Sequence, residues 1–242
     1  MRFNHGIQSR QGLHIMAVPA EQMNANSYTL PNVSRARSLE VVKRIKSVSD
    51  LKMSHLLDGL SANVSDALFE EMQAVEEQGA LAWHFNIMRA LKTSDVSLCS
   101  EFNTYMNLSW VHLVNCRDRQ TMPATVAEME PLLKTYGDKN LNHYKVLLEE
   151  VRLRFCTLVK QELIYHPMLP ANFYLCFWHA SEKFDLSVNE RGLLMPLFNR
   201  FVMARFGTIL GAVNQALIEL HVHASQPGDY THNIDLSASE IS

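Results

Sequence analysis

Residues 53–75, MSHLLDGLSANVSDALFEEMQAV, decide the fold. Met53, Leu57, Leu60, Val64, Ala67, Leu68, Met72 and Val75 recur at spacings of three and four. That repeat holds one apolar stripe along several helical turns, where a strand would alternate at two. Upstream, residues 34–52 (SRARSLEVVKRIKSVSDLK) carry Arg35, Arg37, Lys43, Arg44, Lys46 and Lys52 against only Glu40 and Asp50. Val41, Val42, Ile45 and Val48 give this stretch its own stripe, so it reads as a basic amphipathic helix preceding the first.

Downstream the pattern continues. EEQG at 76–79 reads as a stop, with Gly79 suited to the left-handed position past a helix end. A new face follows through Leu81, Phe85, Met88 and Leu91, and Thr93–Asp95 offers a cap for a helix faced by Phe102, Tyr105, Met106, Trp110 and Leu113. Residues 117–138 read as a connector with a short helix over Thr125–Lys134, Pro123 before it and Gly137 at its end. Asp138 caps the next expected helix, whose stripe is Tyr144, Leu147, Leu148, Val151, Phe155, Leu158, Val159 and Leu163. His166–Pro167 ends it, because proline disfavours a helical residue before it. Ser187 with Glu190 three later forms a capping-box signature. The last helix is expected to run unbroken through Leu194, Phe198, Phe201, Phe206, Ile209, Val213, Leu217 and Leu220.

No segment alternates at period two, and no fixed repeat is present. The expected fold is all-α, a bundle of about six to eight amphipathic helices, mostly antiparallel. A loosely ordered arm is expected over 1–33, one helical domain over 34–224 and a mobile acidic tail over 225–242.

Composition narrows the function classes. Among 242 residues 47% are hydrophobic, which supplies a core and excludes global disorder. Net charge is -3, so the whole molecule is not built for nucleic acid. Cys99, Cys116, Cys156 and Cys176 are widely spaced with no CxxC pair, as suits buried thiols in a reducing compartment. His14 interrupts the short N-terminal apolar run, which argues against a signal peptide. No apolar run is read as reaching the roughly 20 residues needed to cross a bilayer. Cytoplasmic placement is the expectation.

The candidate sites are few. Cys176 and His179 stand three apart in FYLCFWHASEKF (173–184). On a helix Cys176 shares a face with Phe173, Phe177, Ala180 and Phe184, while His179 lies to the side, toward Glu182. They are candidate metal ligands, but a structural zinc needs four and this pair supplies two. Cys156, His143 or His166 would have to complete the set. A Cys–His catalytic pair would need a third orienting group and room for substrate above both. The His221–His223 clip, with His232 beyond, suits adventitious metal only. Glu70, Glu71, Glu76 and Glu77 read as a solvated helix face without a spaced histidine partner on the same face. The sequence therefore carries no assignable catalytic residue, metal site or cofactor motif. Arg35, Arg37, Lys43, Arg44 and Lys46 form the best partner-binding face, for an acidic protein surface, phosphates or anionic lipid. No aromatic residue interleaves this face, which disfavours single-stranded nucleic acid.

Two long segments carry a resemblance. Residues 66–92, DALFEEMQAVEEQGALAWHFNIMRALK, resemble a bacterial family known as domain of unknown function 1631, through Asp66, Leu68 and Phe69 and then Phe85, Met88 and Arg89. Residues 169–220 are similar to a second family segment through Leu197, Phe198 and Asn214. The likeness spans roughly 51–222, although typical members are longer and have an asparagine-rich gap where this chain has Glu76–Gly79. It implies a helical fold, and Asp66 and Arg89 as polar anchors between helices, with no established reaction. A thymidine phosphorylase label attached to some members would require a Gly-rich phosphate cradle, which this chain does not show. The expectation is an interaction or regulatory adaptor module without catalysis, with protein partners and a candidate homo-oligomer. The alternative is a small-molecule or metal-binding protein, or an enzyme, with its site inside the bundle near Cys156, His166, Cys176 and His179.

Overall fold

The computed structural model describes residues 35–73, 78–115 and 127–226. All of them fall within one unit, Val33–Ser242. The expected arm at 1–33, the connector around Pro123, Cys116, Glu76, Glu77, His232 and the tail from 227 lie outside the described residues.

Every described element is helical, as the periodicity demands, and no strand occurs among the described residues. Helix α1 (Arg35–Met72) is a single 38-residue rod. The two helices expected over 34–75 are therefore one. The stripe runs Val41, Ile45, Ser49, Met53, Leu57, Leu60, Val64 at three and four, and Ser49 is the link. Its hydroxyl is buried and points at Met168 Sδ, 3.9 Å away, so a serine occupies a core position.

Helix α2 (Gln78–Thr93) starts earlier than expected, with Gly79 inside its first turn. Its buried face is His84 and Ile87, flanked by Leu81, Met88 and Leu91, while Phe85 stands 57% exposed. Helix α3 (Leu98–Asn115) is capped by Ser97, whose hydroxyl accepts from the Ser100 amide at 3.3 Å. The expected Thr93–Asp95 cap instead makes a turn in which Ser94 Oγ accepts from the Val96 amide.

From Ala127 the chain stays helical to His143: a 3-10 turn, one turn of α4 (Glu130–Leu132), a π segment (Leu133–Gly137) and α5 (Asp138–His143). Gly137 is buried inside this run with ordinary helical angles, and Asp138 makes no side-chain cap. Helix α6 (Lys145–Val159) stops at Lys160, which takes the left-handed conformation at φ 58°. The expected end at His166–Pro167 lies beyond it, because a lysine occupies the position where glycine is the usual signal.

Helix α7 (Pro170–Ser181) begins with proline in its first turn. Helix α8 (Val188–Phe201) opens on the expected capping box: Ser187 Oγ accepts from the Glu190 amide, and Glu190 accepts from the Ser187 amide at 2.7 Å. Helix α9 (Phe206–Glu219) is separate. A 3-10 turn at Met203–Arg205 breaks the expected last helix and brings Gly207 so close to Tyr144 that a Cβ there would sit 2.9 Å from the ring.

By length and composition alone, Val188–Glu219 is apolar enough to cross a membrane, with mean hydropathy 1.4 over its best window. The turn divides it, and half of that window is buried against the rest of the protein.

The long helix α1 packs along α9, α3, α8 and α2, while α3 packs on α7 and α6 on α9. An aromatic cluster fills the centre. Phe177 stacks on Phe198 at 4.1 Å, Phe173 meets Phe206 edge-on at 4.8 Å, and Trp110 meets Phe155 edge-on at 6.0 Å.

Candidate ligand pocket between α3 and α7

One side of α7 packs into this aromatic cluster, where Phe173 also meets Phe102 of α3, and a second side runs beside the 105–112 face of α3. On the second side the two helices leave a cavity of about 300 Å³. Helix α3 lines it with Tyr105, Leu108, Ser109 and His112, and α7 with Asn172, Leu175, Cys176 and His179. Tyr165, from the segment before α7, completes the lining. Helical spacing explains the set, since 105, 108, 109 and 112 share one face, as do 172, 175, 176 and 179.

The floor is a closed hydrogen-bond network. Asn172, 1% exposed, donates its amide to the Pro167 carbonyl at 2.9 Å. Its Oδ1 accepts from Tyr165 Oη at 2.7 Å and from Ser109 Oγ at 2.9 Å. Burial pushes the Tyr165 phenol up to about 12, so it stays protonated.

Cys176 and His179 both reach this cavity. Cys176 lies in the core stripe, its Sγ 3.9 Å from Asn172 Oδ1. Burial pushes its thiol up to about 12, so the thiolate needed for attack or metal binding is not populated. His179 sits at the rim against the Tyr105 ring, with Nδ1 3.3 Å from Glu182 Oε2. Burial raises the Glu182 carboxyl, but hydrogen bonds from Arg191 and His179 outweigh that and hold it below its ordinary value. Neither side chain is aimed at the other, and among the described residues no group of three metal-ligating side chains exists.

The remaining candidates scatter. Cys156, on α6, and His166, between α6 and α7, are buried. Burial pushes the Cys156 thiol up to about 11 and lowers His166 to about 3. His143, His221 and His223 are exposed, and His221 holds a left-handed φ of 56°. Glu71 lies 3.7 Å from His84 of the neighbouring helix α2, and Glu70 lies 3.6 Å from Arg200. Asp66 faces solvent. Arg89 hydrogen-bonds Asn86 within α2, and it is Asn86 that reaches Glu190 of α8 at 3.0 Å. Asn214 ties α9 to α6 by accepting from Arg154 and donating to Glu150. Of the basic face, Arg35, Arg37, Lys43 and Arg44 are exposed, and Lys46 pairs with Asp50.

Sequence reasoning found Cys176 and His179 but missed Ser109, His112, Tyr165 and Asn172. Asn172 was the available signal: an amide one helical turn before Cys176, at the head of the aromatic run Phe173–Trp178, has to find buried partners. Compared with known proteins, the chain matches no family model, and no curated protein and no solved structure is significantly similar to it.

Proposed function

We propose that this chain is a non-catalytic α-helical regulatory module that takes a small molecule into the α3–α7 pocket. The observation that carries the reading is the pocket's construction: apolar walls around a few fixed polar groups, at about 300 Å³. Ligand sites share this build and begin at about this size. Binding is favoured over catalysis because the Cys176 thiol is held protonated and His179, three residues on, is directed at Glu182, so these two do not form a nucleophile–base pair. Free Cys99, Cys156 and Cys176 support cytoplasmic placement. The resemblance to domain of unknown function 1631 supports a helical fold and adds no reaction.

The test is native mass spectrometry of the gently purified chain, with a thermal-shift screen of neutral fragments. A bound mass or fragment stabilisation that is lost in Leu175→Phe, a variant that fills the cavity without touching its floor, supports the reading. Whole multiples of the bare chain with no stabilising fragment reject it in favour of a plain adaptor.

The adaptor reading has its own observation in the exposed Arg35, Arg37, Lys43 and Arg44 along one end of α1. A partner recognised there has an acidic face, and its affinity falls steeply with added salt.

A further inference from the structure

The hydrogen-bond chemistry of the pocket's floor can be read atom by atom. The Pro167 carbonyl can only accept, so the Asn172 amide nitrogen faces it at 2.9 Å and the Asn172 oxygen must face the hydroxyls. Each hydroxyl carries one proton. The Tyr165 proton goes to Asn172 Oδ1 along the shorter of its two contacts, 2.7 Å against 3.2 Å to Ser109. The Ser109 proton goes to the same oxygen at 2.9 Å. Both donors are thus committed, and what Ser109 and Tyr165 still offer the cavity is lone pairs. At the rim a carboxylate only accepts, so His179 Nδ1 donates to Glu182.

No Lys, Arg, Asp or Glu is among the described residues that line the cavity. An anion would meet no lysine or arginine, and an acceptor ligand would have to draw the Ser109 or Tyr165 proton away from Asn172 Oδ1. Tyr105 and Leu175 are left as flat and aliphatic surface.

We infer that the α3–α7 pocket selects a small neutral aromatic molecule that donates one hydrogen bond through N–H or O–H to the Ser109 and Tyr165 hydroxyls. The inference rests on the pocket reading above and names the ligand class for it. A planar ring has the Tyr105 ring and Leu175 as its apolar surface, and its single donor meets acceptors that are otherwise unpaired when water leaves.

Matched probes test this, with indole, N-methylindole and benzoate titrated calorimetrically into the full chain at neutral pH. Indole is expected to bind, N-methylindole at least about tenfold more weakly, because a buried acceptor pair is left without a donor. Benzoate is expected not to bind. Tyr165→Phe, which keeps the ring and removes one acceptor, should shrink the indole preference severalfold while leaving N-methylindole unchanged. Equal binding of indole and N-methylindole, both abolished by Leu175→Phe, would keep the pocket and overturn the donor rule. Preferred binding of benzoate would overturn the charge argument. Failure of all three probes to bind wild type would overturn the ligand class, and the pocket reading then stands or falls on the fragment screen.

Discussion

The two sides of α7 are built from neighbouring residues of one helix and behave oppositely. On one side Phe173 and Phe177 close against Phe206 and Phe198 with ring centroids 4.8 and 4.1 Å apart. On the other, Asn172, Leu175, Cys176 and His179 stand beside α3 and leave a cavity. Apolar rings interdigitate to crystal-like density because they carry no direction. A buried amide has fixed partners at fixed distances, and Asn172 holds Ser109, Tyr165 and Pro167 in place whether or not the space beside them is filled. Directional bonding on one side and shape filling on the other explain how one helix supplies both core and site.

The sharpest way to break this contrast is truncation on each side. Phe173→Ala is expected to cost about 3–5 kcal/mol, because a close-packed ring leaves a void that cannot collapse. Leu175→Ala, beside space that already exists, is expected to cost about 2 kcal/mol, at the low end for such a change. Chemical denaturation checks both, and equal losses would mean that the cavity side is packed as tightly as the other.

His166 extends the contrast to charge. It is buried edge-on to Phe155 at 5.6 Å, with Arg152 and Glu149 as its charged neighbours. Burial first, then the Arg152 charge, lower it from 6.5 to about 3, against a smaller opposing pull from Glu149. The unfolded chain therefore takes this proton near pH 6.5 and the folded chain only near pH 3. Stability from this group is complete above pH 6.5 and is lost as pH falls, at about 1.4 kcal/mol per unit. Between pH 6.5 and 5 about 2 kcal/mol should go, before carboxylates begin to titrate. His166→Phe should remove most of that slope in denaturation curves taken across the window, and an unchanged slope would contradict the account.

A smaller effect is expected at the cap of the helix that backs the packed side. Ser187→Ala removes the bond to the Glu190 amide and should lower stability by about 1 kcal/mol, read as a fall in Tm. The smallest change has the opposite sign. Gly59 lies mid-α1, and a methyl group added there would meet nothing within 4 Å, so Gly59→Ala should raise stability by about 0.5–1 kcal/mol.

What could be read from the residues follows the same division. Apolar spacing announces itself, so the stripes of α1, α3 and α6, the Ser187–Glu190 box and the place of Cys176 in the core were legible. Departures set by tertiary context were not. Ser49 joins two expected helices because Met168 lies opposite it, Lys160 ends α6 without a glycine, and the break at Met203–Arg205 replaces a stripe that would have continued. The site was half legible: Cys176 and His179 drew attention as a pair, but their meaning lay across the helix pair, in Ser109 and Tyr165, which sequence spacing cannot bring together.

The central claim is that the space between α3 and α7 is a binding site. A crystal structure of the chain grown with indole tests it most directly. The account predicts a planar ligand between Tyr105 and Leu175 with its nitrogen within hydrogen-bond distance of Ser109 Oγ or Tyr165 Oη. A cavity that stays empty at saturating indole, or a ligand seated only elsewhere, would contradict it.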